Sequence, residues 1–151
     1  MPWATAIFGT GKSVPKIAVA HGIPYVATAT VADLHDLERK VMKAMAIHGA
    51  RYIHIHVPCP LGWGAASHDT IRLARLAVEC GLFPVFEAEL GIVTSSRKIR
   101  RPVPVAEYLR PQRRFAHLFK DAAGAKRLAQ LQAIADGHIV EYKLLERDED
   151  A

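Results

Sequence analysis

Three groups of residues in this sequence have the types and spacing to do chemistry. Cys59 stands between Pro58 and Pro60 and is followed by Gly62 and Gly64. A thiolate there would be a nucleophile or a metal ligand, with prolines fixing the backbone beside the sulfur and glycines allowing close approach of the chain or a cofactor. Spacing alone favours a buried, inert thiol over that reading. His54 and His56 flank Ile55, so on a strand both imidazoles point to one side, a spacing that can chelate zinc or copper. No nearby residue supplies a third ligand, and hydrogen-bonded buried histidines, or histidines lining a subunit contact, suit the pair better. Gly9-Thr10-Gly11-Lys12-Ser13 resembles the end of a phosphate-binding loop. Its context is wrong: the first glycine of such a loop falls on Ala6, no buried strand precedes it, and Pro15 follows where a helix should propagate. Cys80, at a helix end beside Leu82 and Phe83, reads as inert, and no Gly-x-Ser-x-Gly elbow supports a serine nucleophile.

The elements that would position these residues alternate between strand and helix. Ile17 to His21 reads as a helical turn closed by Gly22, and residues 23–29 as a buried strand. Thr30 followed by Asp33 signals a capping box for a helix through Leu34, Leu37, Val41, Ala44, Met45 and His48, ended by Gly49. Residues 52–57 form a second strand with Ile53, Ile55 and Val57 on one face and Tyr52, His54 and His56 on the other. It leads into a stiff loop over residues 58–64. A helix follows from Ser67 or His68, with Ile71, Ala74 and Val78 as its stripe and Leu73 and Leu76 flanking, and residues 82–87 give a third strand. This order predicts βαβ units on a parallel sheet, an α/β fold. Beyond Gly91 the pattern changes to a basic, proline-punctuated stretch with helices at residues 105–109 and from about 122 to 135. The expected division is an irregular arm over residues 1–16, a βαβαβ unit over 17–91, and a basic docking segment with a carboxyl-terminal helix over 92–151.

At 151 residues, 50% apolar and 23% charged, the chain has one domain's worth of ordinary globular sequence. No apolar run suits a bilayer span, and two cysteines in unlike settings make no disulfide framework, so a cytoplasmic protein is expected. Ten of its twenty basic residues lie between Arg97 and Arg127, against Glu107 and Asp121. Few aromatics interleave them, and prolines and apolar residues interrupt them, which predicts docking to protein and not to nucleic acid. Three parallel strands make a thin core, so the chain should lean on a partner.

Several blocks together resemble one family. They are His21-Gly22-Ile23-Pro24-Tyr25-Val26-Ala27-Thr28-Ala29; Tyr52-Ile53-His54-Ile55 leading into Pro58-Cys59-Pro60-Leu61-Gly62-Trp63-Gly64; residues 76–87; Pro104-Val105-Ala106-Glu107-Tyr108-Leu109; and Arg114-Phe115-Ala116-His117-Leu118. Their order and spacing resemble the β subunit of 2-oxoacid:ferredoxin oxidoreductases, the pyruvate synthase family, over residues 16–118. The resemblance implies a thiamine-diphosphate-binding fold and a 4Fe-4S cluster that takes electrons once the 2-oxoacid has lost carbon dioxide. It implies that Cys59 is one of the cluster's four thiolate ligands, a cofactor-binding and metal-ligating role.

The departures are equally specific. The family's paired amino-terminal cysteines, its third cysteine, and the Gly-Asp-Gly stretch that holds magnesium and the diphosphate have no counterpart here, and two cysteines cannot supply four thiolates. The chain therefore resembles the carboxyl-terminal half of the subunit, with thiamine diphosphate and magnesium bound mainly by residues outside it. The expected function is part of a multi-subunit 2-oxoacid oxidoreductase, inactive alone, that works with other subunits and passes electrons to ferredoxin or a flavin subunit. The alternative is a non-catalytic α/β interaction module, or a truncated subunit with a structural role in a complex. The 2-oxoacid itself, whether pyruvate, 2-oxoglutarate or a branched-chain, indole or aryl compound, is not legible in these residues.

Overall fold

A computed structural model describes residues 11–145. Ser13 starts the first helix, α1 (Val14–Ala20), its hydroxyl accepting from the Lys16 amide at 3.4 Å. Pro15 sits in the first turn, where a missing N–H costs nothing, so it opens the helix that the sequence pattern starts only at Ile17. Of the phosphate-loop look-alike, Gly9 and Thr10 lie outside the described residues, as does most of the expected arm. β1 (Tyr25–Thr30) is buried at every position, as a strand covered on both faces must be. α2 (Leu34–Met45) is capped by Asp33, which accepts from the Asp36 amide at 3.0 Å. Thr30 does not cap it, because it still belongs to the strand and its hydroxyl accepts from the Ala32 amide.

β2 (Arg51–His56) pairs parallel with β1, Tyr25 opposite Arg51 and Thr30 opposite His56. The expected loop after it contains one helical turn, α3 (Pro60–Trp63). A 3-10 turn at Ser67–Asp69 then leads into α4 (Thr70–Glu79), which buries Leu73, Ala74, Leu76, Ala77 and Val78. Ile71, expected on that stripe, is exposed.

The third strand is where expectation and structure part. β3 (Phe86–Glu89) lies antiparallel to β1, not parallel, and residues 82–85 are not in a strand. β4 (Ile92–Ser96), which the sequence pattern did not reveal, pairs antiparallel with β3. The α/β class holds, with a four-stranded mixed sheet in the order β2-β1-β3-β4. The turn at Leu90 and Gly91, with φ of 49° and 86°, accounts for the β3–β4 pair, because only antiparallel neighbours can be joined by two residues. The sense of β3 against β1 is set by tertiary contacts where β3 enters the sheet: the Thr28 hydroxyl donates to the Pro84 carbonyl at 2.7 Å and accepts from the Phe86 amide at 2.8 Å.

α5 (Val105–Leu109) matches its predicted span, a 3-10 segment covers Arg113–Phe119, and α6 (Ala122–Glu141) runs past the predicted end. Leu73, Ala77 and Cys80 pack on Val105, Leu109, Leu118 and Ala135 in one core. A second core joins Ala18, Val26, Phe86 and Ala88 to Ile99, Tyr142 and Leu144, where the Ile99 amide donates to the Leu144 carbonyl at 2.6 Å. A third, on the α2 side, holds Tyr25, Ala27 and Ala44. The apolar residues of the basic stretch, Ile99, Val105 and Leu109, are thus covered by their own chain. Among the described residues, no helix is long and apolar enough to cross a membrane.

Candidate functional site

The carboxyl end of β2 delivers the chain through buried Pro58 to Cys59, whose carbonyl accepts from the Trp63 amide at 2.9 Å and so closes α3. Pro60 opens that turn, and Gly64 ends it in the left-handed region at φ 64°. The Cys59 thiol is exposed, not buried. A β-carbon at Gly62 would stand 3.2 Å from Cys59 Sγ, so the sulfur rests against space that only glycine leaves open. Cys80 is the inert thiol: it is fully buried, donates to the Ala77 carbonyl at 3.5 Å, and burial pushes it up to about 11.

Part of the basic stretch closes over this loop. A β-carbon at Gly64 would meet Arg113 Cβ at 2.8 Å, and the Arg113 amide donates to the Gly64 carbonyl at 3.4 Å. The Arg114 guanidinium lies 3.9 Å from the Trp63 ring centroid and donates twice to Gln112 Oε1, at 3.0 and 2.7 Å. Gln112 is fully buried and in turn donates to the Tyr108 carbonyl at 2.6 Å. Arg113 and Arg114, read from sequence as part of an outward docking segment, therefore brace the Cys59 loop from within the chain. Elsewhere in the stretch, Arg97, Lys98 and Arg101 line a cleft of about 850 Å³ with Arg75 and Glu79 of α4.

His54 and His56 do point to one side, and both rings pack on Phe83, at centroid distances of 5.6 and 4.9 Å. His56 Nε2 lies 3.4 Å from the Tyr108 hydroxyl, while Nδ1 is buried with no hydrogen-bond partner. Burial, with His54 and Arg114 nearby, pushes His56 down to about 4, so the ring is neutral at physiological pH. Among the described residues no three His, Cys, Asp or Glu side chains converge as a metal would require. The two imidazoles are one wall of an aromatic cluster with Trp63, Phe83 and Tyr108 beside the loop.

A second polar cluster escaped the motif reading. Glu87 on β3, buried, accepts from Tyr25 Oη at 2.8 Å, Arg39 at 2.7 Å and Lys43 at 3.0 Å. Beside it Lys40, also buried, donates to the Thr28 carbonyl at 2.9 Å and to Asp36 at 2.6 Å. The signal was there in Arg39, Lys40 and Lys43 on one helix and in Glu87 and Glu89 at alternate positions, but only the fold brings them together.

No family profile matches the chain, but individual proteins do. It is 47% identical over 133 residues to pyruvate synthase subunit PorB of Methanosarcina barkeri, a match covering 88% of this chain and 45% of that one. PorB of Methanocaldococcus jannaschii is 46% identical over 107 residues, covering 71% of this chain and 36% of its own. Ketoisovalerate oxidoreductase subunit VorB of Pyrococcus abyssi is 43% identical over 112 residues, covering 73% and 36%. The matched stretch belongs to the pyruvate synthase subunit family. Within that family the chain spans less than half the length of the relatives it matches. Relatives named for pyruvate and for ketoisovalerate score within a few per cent of one another, so the stretch marks the pyruvate synthase family and not one substrate.

Proposed function

We propose that this chain works as part of a multi-subunit 2-oxoacid oxidoreductase, in which Cys59 gives one thiolate to a 4Fe-4S cluster and the β1–β2 sheet supports the neighbouring thiamine-diphosphate site. The observation that carries this is the exposed Cys59 thiol seated against Gly62 beyond the carboxyl end of β2, where sheets of this class gather their ligands. Cys80 is buried and cannot join it, so these residues fit one ligand position and the remaining thiolates are supplied from outside them. A cluster held there would take up electrons released from the oxoacid and hand them on to ferredoxin or a flavin subunit.

The chain's own residues prepare that position. Arg114 on Trp63 fixes the turn that carries Cys59, and the braced backbone sets the direction of the sulfur. Neutral His56, with Phe83 and Tyr108, makes an uncharged wall that limits water on one side. Among the described residues no three His, Cys, Asp or Glu side chains gather as magnesium would require, and magnesium with its diphosphate is assigned to residues outside this stretch.

The test is iron and labile sulfide analysis of the purified complex carrying Cys59→Ala. Cluster content should fall to background with the subunits still assembled. Wild-type iron and sulfide in that variant overturns the reading.

A further inference from the structure

The cleft of about 850 Å³ beside α4 gathers charge of one sign. Arg97, Lys98, Arg100 and Arg101 line one side and Arg75 joins them from α4, while Glu79 is the acidic residue among the described residues that line it. Arg97 already pairs with Asp33, but no carboxylate among the described residues pairs with Arg75, Lys98 or Arg101. Like charges around a concave surface repel one another and concentrate anions there.

After α6 the chain returns to this same wall. Lys143, at φ 51°, turns it, and the buried Leu144 accepts at its carbonyl from the Ile99 amide at 2.6 Å. Lys98 Nζ donates to the Lys143 carbonyl at 2.7 Å, and Ile99 and Leu145 form a parallel bridge. The parallel sense is the deciding detail, because it points the backbone at Leu145 the way the neighbouring chain runs, toward Arg100 and Arg101. The next residues in the sequence are Glu146, Arg147, Asp148, Glu149 and Asp150, four carboxylates against one guanidinium. An extended backbone sets Glu146, Asp148 and Asp150 on one face, and five residues span up to about 17 Å.

We infer that the acidic segment 146–150 is the occupant of this cleft, an internal counter-anion that closes it to other polyanions. Its carboxylates supply the opposite charge that the described residues do not give Arg75 and Arg101. Held at Leu145, the segment faces the cleft at an effective concentration on the order of millimolar, so a free phosphate compound or a nucleic acid has to displace it. The device is independent of the cluster proposed at Cys59.

The probe is inorganic tripolyphosphate, titrated into the full chain and two variants. One variant combines Glu146→Gln, Asp148→Asn and Asp150→Asn. The other combines Glu38→Gln, Glu107→Gln and Asp136→Asn, which changes the net charge equally at residues that do not line the cleft. The first set should tighten binding by about tenfold or more, and adding Arg100→Gln and Arg101→Gln should cancel that gain. The second set should tighten it by about threefold at most, since exposed charges far from the site are screened. Contact is read separately. With Arg101→Lys, a zero-length carbodiimide should join the introduced amine to a carboxylate of segment 146–150 in the same chain, and about 1 M salt should suppress the coupling. Equal tightening by the two sets reduces the effect to net charge and overturns the inference. So does unchanged affinity in the first set, an absence of coupling, or coupling that joins two copies of the chain and not residues of one.

Discussion

Gly62 and Gly64 differ in what a side chain would strike. At Gly62 it would meet the sulfur of its own turn, whereas at Gly64 it would meet Arg113, from a distant part of the chain, at 2.8 Å in addition to the strain of a left-handed backbone. The sequence showed Pro58, Cys59, Pro60 and the glycines as a unit, and that much of the site was legible. Whether the thiol is buried was not, because Pro58 turns inward and leaves Cys59 at the surface, a choice made by packing and not by spacing. The two thiols should therefore part cleanly toward N-ethylmaleimide. A thiol held at about 11 instead of 9.0 carries about 100-fold less thiolate at neutral pH, and Cys80 is also enclosed. Peptide mapping of the native chain should find Cys59 modified within minutes and Cys80 only after denaturation. Equal labelling of both would contradict the burial.

At the level of elements, the helices were the more legible part because apolar stripes are local, as in the Leu73 to Val78 run, but their ends were less so: Asp33 and not Thr30 caps α2, which ends at Met45 with Ala46 as its cap and not at Gly49. The β3–β4 hairpin was hidden by its turn. Two-residue hairpin loops with both φ positive usually announce themselves as Asn-Gly or Asp-Gly, and here the first position is Leu90, which is exposed and has φ 49°. A leucine pays for that backbone with roughly 1 kcal/mol and gains no burial in return. Leu90→Asn should raise stability by about 0.5–1 kcal/mol, read as a higher urea midpoint with an unchanged slope. A drop in the midpoint would mean that Leu90 is covered in solution. The antiparallel sense of β4 against β3 follows from that turn, whereas the sense of β3 against β1 depends on contacts such as Thr28 with Pro84 and Phe86, which no local property of residues 82–87 encodes.

For the molecule as a whole, acid is the revealing variable. Burial works against the charge on Glu87, but hydrogen bonds from Arg39, Tyr25 and Lys43 outweigh it and hold the carboxyl at about 2, against an ordinary 4.5. Its contribution is complete above 4.5 and is lost as pH falls from there toward 2, and with Arg39 and Lys43 open to water it amounts to roughly 2 kcal/mol. His56, held at about 4 against 6.5, acts earlier: the unfolded chain takes up its proton first, so stability declines between 6.5 and 4. Urea midpoints measured from pH 8 to 3 should fall in two stages, and Glu87→Gln should flatten the lower one. A profile level down to pH 4 would refute the His56 assignment. β1, at the centre of the sheet, also sets a timetable for synthesis. Val26 pairs with Ala88, so one side of the most buried strand waits for 62 further residues to be translated. At ordinary elongation rates that is roughly 3–12 s during which the nascent chain shows an unpaired strand destined to be buried at every position, long enough for a ribosome-bound chaperone to be its first partner.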